Sequence, residues 1–245
     1  MATKARTKSK KVTKKNTGSV SVSKKTTQES SASQESRLKK KKNYDTFRTF
    51  IQKLLQDVHP GGISGGALDV VDSYVKINCD KLVRNSDGLL KRSKKKTLSE
   101  KEIESAVYLT VGDDLAQEAN KRGTEAVNKY VSNLGKKGST QRSTKSSKAE
   151  LIFPVSRVGE RVKSASSLDG LRIGEKAIVF LTAVLEYLTQ ELLRMAGEVA
   201  DTGKNKHKRI TPRDIKLAIN KDKGLEELTR NVYIPGGVPV RPRKR

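Results

Sequence analysis

The side chains best placed to do chemistry in this 245-residue chain are basic residues that lie just before predicted helix starts. The basic run 91–96 comes before Ser99 and Glu102, which have the spacing of a capping box at a helix N-terminus. The mostly basic run 204–209 comes before Thr211, which is followed by a proline and has an aspartate at the capping-box position. Helix N-termini present free N–H groups and a positive dipole end, and Lys and Arg neutralise negative charge. Both places are therefore predicted to bind phosphate groups.

Little else in the chain is arranged for chemistry. Cys79 is the single cysteine, which excludes an intrachain disulfide and a zinc site built on several thiolates. His59 and His207 stand apart, without the carboxylate or cysteine spacing that a metal or catalytic site needs. No carboxylate pair, nucleophile arrangement or phosphate-cradling glycine loop has a recognised spacing. We therefore predict that the protein is not an enzyme and uses no cofactor, metal or small-molecule substrate.

The composition favours a polyanionic partner. The chain has 52 basic and 27 acidic residues, a formal net charge of +25 and a pI near 10.1. Such a balance is typical of proteins that bind nucleic acid and, less often, anionic membranes. No apolar run is long enough for a membrane span, and the N-terminus lacks the apolar block of a signal peptide. We therefore expect nucleic acid as the partner and no membrane contact.

Much of the excess charge lies in three segments rich in Ser, Thr and Lys. Residues 1–42 have a net charge of +12, residues 134–150 of +4 and residues 239–245 of +4. These segments contain too few apolar residues to offset the entropy cost of folding. They are predicted to be a disordered basic N-terminal tail, a basic linker and a basic C-terminal tail. Two folded units remain, at residues 43–133 and 151–238.

Each unit reads as a short helix, a long helix and a second short helix, separated by loops. In the first unit the helical pattern 44–58 ends at a Pro-Gly-Gly turn, and a further helix is appended from Asp113. In the second unit a short helix starts after Pro154, and the long helix runs from Gly174 to Asp201. The apolar stripe of that long helix consists of Ala177, Leu181, Val184, Leu185, Leu188, Leu192, Met195 and Val199. The stripe requires cover from another part of the chain.

Two details of the first unit are less regular. Its long helix is predicted from Ser64 to Leu90, although Gly88 and the polar residues before it weaken the last turns. Its second short helix is predicted to bury Ile103, Val107 and Leu109.

The two units are copies of one plan. Residues 98–107 align without gaps on residues 210–219, a shift of 112 positions. Residues 63–65 align on residues 173–175 before each long helix, a shift of 110 positions. One structural unit has therefore been used twice in this chain.

An antiparallel crossing of the two long helices would close both half-open cores. In that arrangement the loop before one long helix meets the loop after the other, so Ile63 pairs with Ile210 and Ile173 pairs with Leu98. Each end of the helix pair then brings a basic loop next to helix N-termini. We predict an all-α fold of this kind, with phosphate sites at both ends.

Several motifs resemble core histones. The resemblance to histone 2A rests on FPVSRV, AVLEYLTQELLRMAGEVA, RITPRDIKLAIN and IPGGV. The resemblance to histone 2B rests on YDTFRTFIQKLLQDVHPGGIS, TLSEKEIESAV and LAQEANKRGTEAVNKYVSN. The fusion of a 2B-like half to a 2A-like half resembles the histone doublets of giant amoeba-infecting viruses.

This resemblance implies two histone folds in one chain, paired as an antiparallel handshake. It implies a nucleosome-like particle that wraps double-stranded DNA with a histone 3/4-type partner, itself a doublet. The expected location is the nucleus, or the viral particle or virus factory. One departure concerns that partner, because the family's tyrosine contact to histone 4 is replaced near Lys91 and Arg92.

The resemblance also carries DNA-contacting roles to individual positions. Arg157, Arg172 and Arg209 match arginines that reach the minor groove or adjacent phosphates in the family. The full set of expected DNA-binding residues is Ser64, Gly65, Lys95, Lys96, Thr97, Arg157, Lys163, Arg172, Lys208, Arg209 and Thr211.

The acidic docking patch of the family is only partly present. Its remaining acids are Asp114, Glu186, Glu191 and Asp222, whereas Arg122, Arg194 and Lys221 stand where the family has acids. We therefore expect this face to bind arginine-anchored regulators weakly.

Two other functions remain open from the sequence. A regulatory pair of histone folds would read a DNA sequence, whereas a packaging protein shows only preferences that follow DNA bendability. A basic RNA-binding protein fits the charge but does not predict the repeat, and equal affinity for single-stranded RNA and duplex DNA would support it.

Overall fold

The computed structural model describes residues 46–134, 144–202 and 209–229. In these ranges the elements are α1 (Arg48–Val58), β1 (Gly62–Ile63), α2 (Gly65–Ser93), β2 (Thr97–Leu98), α3 (Glu100–Thr110), α4 (Asp113–Leu134), α5 (Lys145–Lys148), α6 (Val155–Ala165), β3 (Arg172–Ile173), α7 (Glu175–Thr202), β4 (Arg209–Ile210), α8 (Pro212–Lys221) and α9 (Lys223–Thr229). The expected disordered tails, 1–42 and 239–245, lie outside the described residues. No helix in the described part of the chain is long and apolar enough to cross a membrane.

The two long helices, α2 and α7, are each about 42 Å long at the usual rise per residue. Helix α2 begins where the Ser64 side chain accepts a hydrogen bond from the Ala67 N–H, 3.3 Å away. It continues beyond the predicted Leu90 to Ser93, because Ser86 and Asp87 in the polar stretch both find partners. Ser86 donates to the Leu82 carbonyl within the helix, and Asp87 accepts bonds from the loop after α6.

The long helices are paired as the repeat predicted. Strand β1 pairs in parallel with β4, placing Ile63 beside Ile210, and β2 pairs with β3, placing Leu98 beside Ile173. The start of α2 therefore meets the end of α7, and the reverse holds at the other end. Each unit's first short helix packs on the other unit's long helix, α1 on α7 and α6 on α2. The predicted handshake of two histone folds is confirmed.

Helix α7 is buried around most of its circumference. Its predicted stripe is buried except for Met195, which is half-buried, and Val179, Phe180 and Leu193 are buried as well. The appended helix α4 covers this additional face. The contact requires glycine at position 123, since a Cβ there would lie 2.7 to 2.8 Å from the Phe180 ring. The two units therefore share one core rather than holding two.

Two sequence predictions for individual segments are wrong. Leu109 was placed on the buried face of α3, but it is 66% exposed. The buried face consists of Ile103, Ala106, Val107 and Thr110, a spacing of three and four that leaves Leu109 on the opposite side.

The second correction concerns part of the linker 134–150, because residues 144–150 are folded and not coil. The Thr144 hydroxyl caps α5 by accepting from the Ser147 N–H at 3.1 Å. Ala149, at 2% exposure, joins the core, and Lys145 forms an ion pair with Glu175 at 2.6 Å. One buried methyl group and these polar contacts hold a segment whose composition indicated coil.

Candidate nucleic-acid interface

One end of the handshake places an exposed arginine beside two helix starts. Arg209 in β4 pairs with Gly62 in β1, and the Ser64 N–H donates to the Ile210 carbonyl at 2.9 Å. A Cβ at position 62 would meet the Arg209 side chain at 3.4 Å, so this side chain runs across the glycine. Gly65 is exposed, with open space where a Cβ would stand. The N-terminus of α2 is thus accessible next to a guanidinium group.

The other end has the same construction. Arg172 in β3 pairs with Thr97 in β2, and its backbone N–H donates to the Lys96 carbonyl at 2.9 Å. The Gly174 N–H donates to the Leu98 carbonyl at 3.0 Å. The side chains of Arg172, Lys96 and Thr97 are all exposed. The predicted residues Arg172, Lys96 and Thr97 are therefore brought together, as are Arg209, Ser64 and Gly65 at the first end.

Arg157 lies at a third place, where the N-termini of α1 and α6 meet. Its side chain is half-buried, donates a hydrogen bond to the Thr46 carbonyl and lies 5.0 Å from the Phe50 ring centroid. The rings of Phe47 and Phe153 are 5.6 Å apart beside it. The guanidinium therefore joins the starts of the two helices.

Some predicted phosphate ligands already have partners within the protein. Lys95 pairs with Glu102 at 2.9 Å, and the Thr211 hydroxyl donates to Asp214 at 2.7 Å. Lys163 is exposed in the last turn of α6. Lys208 lies outside the described residues.

Both second short helices have the capping boxes that the sequence predicted. In α3 the Glu102 carboxylate accepts from the Ser99 N–H at 3.0 Å, and in α8 the Asp214 carboxylate accepts from the Thr211 N–H at 2.8 Å. Burial acts to raise the pKa of Glu102, but hydrogen bonds from the Ser99 hydroxyl, Lys95 and two backbone N–H groups outweigh it and lower the pKa to about 2. Glu102 is therefore a carboxylate at neutral pH, and it holds Lys95 beside the helix start.

Sequence reasoning missed two basic residues at these ends. Lys101 and Arg213 are exposed in the first turns of α3 and α8. The repeat aligns them with each other, so this signal was available. A basic side chain is unfavourable at the positive end of a helix dipole unless an anion lies nearby. Lys176, in the first turn of α7, lines the same cleft as Lys101, together with Glu100 and Glu104.

The remaining acids of the docking patch are largely engaged within the protein. Arg194 pairs with both Glu191 and Glu198. Glu186 accepts a hydrogen bond from the Phe153 N–H at 2.8 Å, and burial raises the pKa of Glu186.

Two further acids around this face, Asp222 and Glu118, are also engaged by groups of the same chain. Asp222 accepts from the Leu225 N–H at 2.8 Å and so caps α9. Glu118, on the helix that carries the exposed Asp114, is bridged by Lys121 and Arg122. Lys221 is exposed near Asp222.

No metal or nucleophile site is present among the described residues. They contain no cluster of His, Cys, Asp and Glu that could hold a metal ion. Cys79 is buried, and burial together with the neighbouring Asp80 raises the pKa of its thiol to about 12. A thiol in this state is a poor nucleophile. His59 is buried against Gly197, and His207 lies outside the described residues.

Comparison with known proteins gives matches to histones. The family model described as "Core histone H2A/H2B/H3/H4 domain" matches twice, at residues 27–109 and 132–221. "Histone H2A.Z" of Saccharomyces cerevisiae is 45% identical over 101 residues, which is 41% of this chain and 73% of that protein. "Histone macroH2A1.1" of Capsaspora owczarzaki is 45% identical over 94 residues, which is 38% of this chain and 24% of that protein.

Among solved structures, the histone from Methanopyrus kandleri is similar. The match has a TM-score of 0.46 at 20% sequence identity, and it covers 74% of this chain and 99% of that one.

The Glu102 capping box predicts an acid-dependent stability. The pKa of the Glu102 carboxyl group is lower in the folded chain than its ordinary value of 4.5. At intermediate pH the unfolded chain therefore binds a proton that the folded chain does not. The stabilisation is complete above pH 4.5 and is lost as pH falls toward 2. We expect Glu102→Gln to lower the free energy of unfolding by about 1 kcal/mol at neutral pH, with the difference from the unsubstituted chain shrinking in that window. Urea denaturation at a series of pH values measures it.

The matched control is Glu104→Gln, at an exposed position of the same helix. It should leave the acid dependence unchanged. A Glu102→Gln effect of constant size from pH 7 to pH 2 would contradict the prediction.

Proposed function

Because the chain belongs to the core histone family, which consists of structural proteins and not enzymes, we propose that it packages double-stranded DNA. The observation that carries the proposal is the matched construction of the two ends of the handshake. Each end has an exposed arginine in a strand pair and a basic side chain in the first turn of a short helix, and at the first end the start of α2 is accessible as well. Arrangements of this kind bind phosphates and the minor groove.

The binding is independent of base sequence in this proposal. Arg172 and Arg209 lie in two-residue strands at the ends of the long helices, whereas base reading in the major groove uses side chains that a helix or a β-ribbon inserts into the groove. The duplex is held through its backbone, so differences between sequences follow the energy of bending. A sequence-reading pair of histone folds would require such base contacts.

A more detailed proposal assigns each half of the chain to one type of core histone. Residues 43–133 are a histone 2B-like unit and residues 151–238 a histone 2A-like unit with a docking segment, joined by the linker 134–150 and flanked by the basic tails 1–42 and 239–245. The support is the set of motifs in each half, together with a handshake that closes within a single chain. This chain would then take the place of a 2A/2B pair in a nucleosome-like particle, with a histone 3/4-type doublet as its partner.

We place this function in chromatin, in the nucleus or in a viral particle or virus factory. The viral setting rests on the order of the two halves, which resembles that of giant-virus doublets. The DNA-contacting set remains the eleven predicted residues, of which Lys95 is paired with Glu102 and Thr211 belongs to a capping box. Lys101 and Arg213 are added because they share the exposed first turns beside Arg172 and Arg209.

The first test compares DNA binding by the full chain and its arginine variants. Arg172→Ala and Arg209→Ala should each weaken duplex binding by a similar factor on every sequence. Each should also reduce the slope of log affinity against log salt by about one, since one phosphate contact is lost. Fluorescence anisotropy at several salt concentrations measures both quantities.

Arg84→Ala is the control, because Arg84 is exposed on α2 away from the helix ends. It should change neither the affinity nor the slope. Strong preference for one duplex sequence would favour the regulatory pair, and equal affinity for single-stranded RNA would favour an RNA-binding protein.

The particle is tested by reconstitution. Mixed with DNA and a histone 3/4-type partner and digested with nuclease, the full chain should protect a DNA fragment of fixed length. The wrapped duplex is shielded wherever its backbone faces the protein. The partner alone is the control, and a continuous smear without a defined fragment would contradict the wrapping proposal.

The altered acidic face is a further part of the proposal. Arg194 neutralises Glu191 and Glu198, so a peptide anchored by arginine should bind more weakly here than to a cellular nucleosome. Arg194→Glu should strengthen that binding by freeing both acids, whereas Arg84→Glu should not. Calorimetry with such a peptide measures the difference, and affinity at the cellular level in the unsubstituted chain would refute the idea.

A further inference from the structure

We propose that the ion pair between Asp80 and Arg161 selects the pairing partner: it lets the first unit accept the second unit and makes each unit reject a copy of itself. Asp80 lies on α2 of the first unit and Arg161 on α6 of the second. The guanidinium donates two parallel bonds to the carboxylate, from Nε at 2.8 Å and from Nη2 at 2.7 Å. The side chains are 22% and 20% exposed, so most of both charges is removed from water.

The repeat shows what stands at the equivalent place. Helices α1 and α6 match at a shift of 107 residues, which aligns their first and last residues, their C-caps His59 and Ser166, and the buried pairs Ile51 with Val158 and Leu55 with Val162. Helices α2 and α7 match at a shift of 110. Arg161 therefore corresponds to the buried Leu54, and Asp80 corresponds to Gln190. Where α6 crosses α2 the two residues form an ion pair. Where α1 crosses α7 the corresponding residues are the apolar Leu54 and the neutral Gln190.

Pairing of like units would separate the two charges. Two copies of the first unit would set Asp80 against the position of Leu54, and two copies of the second would set Arg161 against that of Gln190. A pair of like units contains this crossing twice, so in either case two mostly buried charges lose their partners. Leaving one member of a buried pair unpaired is far more unfavourable than the intact pair is favourable. The ion pair therefore acts mainly against wrong partners.

A second contact between a long helix and the end of a short helix also differs between the two halves, and it too favours the pairing of unlike units. Asp87 of α2 accepts bonds from the Ser166 hydroxyl at 3.1 Å and the Ser167 N–H at 2.8 Å. At the equivalent place His59 packs on Gly197, where a Cβ would lie 2.8 Å from the His59 Nδ1 atom.

Like-with-like pairing would also break this second contact. In a pair of first units Asp87 would occupy the space that only a glycine leaves for His59. The next residue, Pro60, has no N–H to replace that of Ser167. In a pair of second units, Gly197 offers no acceptor to the two serines. Both contacts thus favour unlike units, which is the arrangement observed.

The test uses two full-length chains with opposite single reversals, Asp80→Arg and Arg161→Asp. Within either chain, like charges oppose each other. When the chains are refolded together, each first unit finds a complementary second unit in the other chain, and both ion pairs are restored. We expect sedimentation at physiological ionic strength to show a one-to-one mixed assembly. It should exceed the same-variant assemblies at least about tenfold, the factor for coupling at the weak end for close charge pairs.

The double variant Asp80→Arg with Arg161→Asp should behave as a single chain, like the unsubstituted protein. The matched control reverses Arg48 and Asp69, an exposed pair within the first unit, in two separate chains. Mixing those chains should give no mixed assembly, because both partners belong to one unit. If single reversals fail to fold alone, the mixture must rescue them. A mixture that behaves as the sum of its two components would overturn the proposal.

Discussion

The antiparallel crossing of α2 and α7 is the contact on which the rest of the structure depends. Each long helix is too apolar to be covered by the short helices of its own unit, so each takes its cover from the other. Helices α1 and α6 each pack on both long helices, that of their own unit and that of the other, and α4 packs along α7. The strand pairs β1–β4 and β2–β3 form only because the crossing brings the ends of the two helices together. The candidate DNA sites are consequences of this one packing arrangement.

At both ends, acidic and basic side chains have different roles around the helix N-termini. The capping carboxylates, Glu102 and Asp214, are buried and satisfy backbone N–H groups from within the protein. The basic residues of the strands and first turns remain exposed, Arg172 and Arg209 most clearly. The acids therefore stabilise the fold without covering the surface on which a phosphate would bind. This division explains why a strongly basic protein keeps acids close to its candidate DNA sites.

The two units have diverged where they touch each other and where they face outwards. Between the units, an ion pair stands at one crossing and an apolar residue at the equivalent one. On the outer face, Arg194 takes up two carboxylates that would otherwise be available to a partner. In both places, charged side chains of this protein are paired with each other within the chain. Under both proposals, partner choice depends on local neutralisation more than on the total charge of +25.

The sequence by itself determined the long helices and the short helices around them, the two capping boxes, the repeat and the pairing of Ile63 with Ile210 and of Leu98 with Ile173. These features depend on spacing along one chain and on a symmetry that the repeat makes visible. Only the tertiary structure showed that Leu109 faces outwards, that residues 144–150 fold and that α7 is buried on several sides. It also decided which charged groups are occupied, such as the half-buried Arg157 and the paired Lys95. The reason is that burial and ion pairing depend on neighbours distant in sequence, which the periodicity of a single helix does not contain.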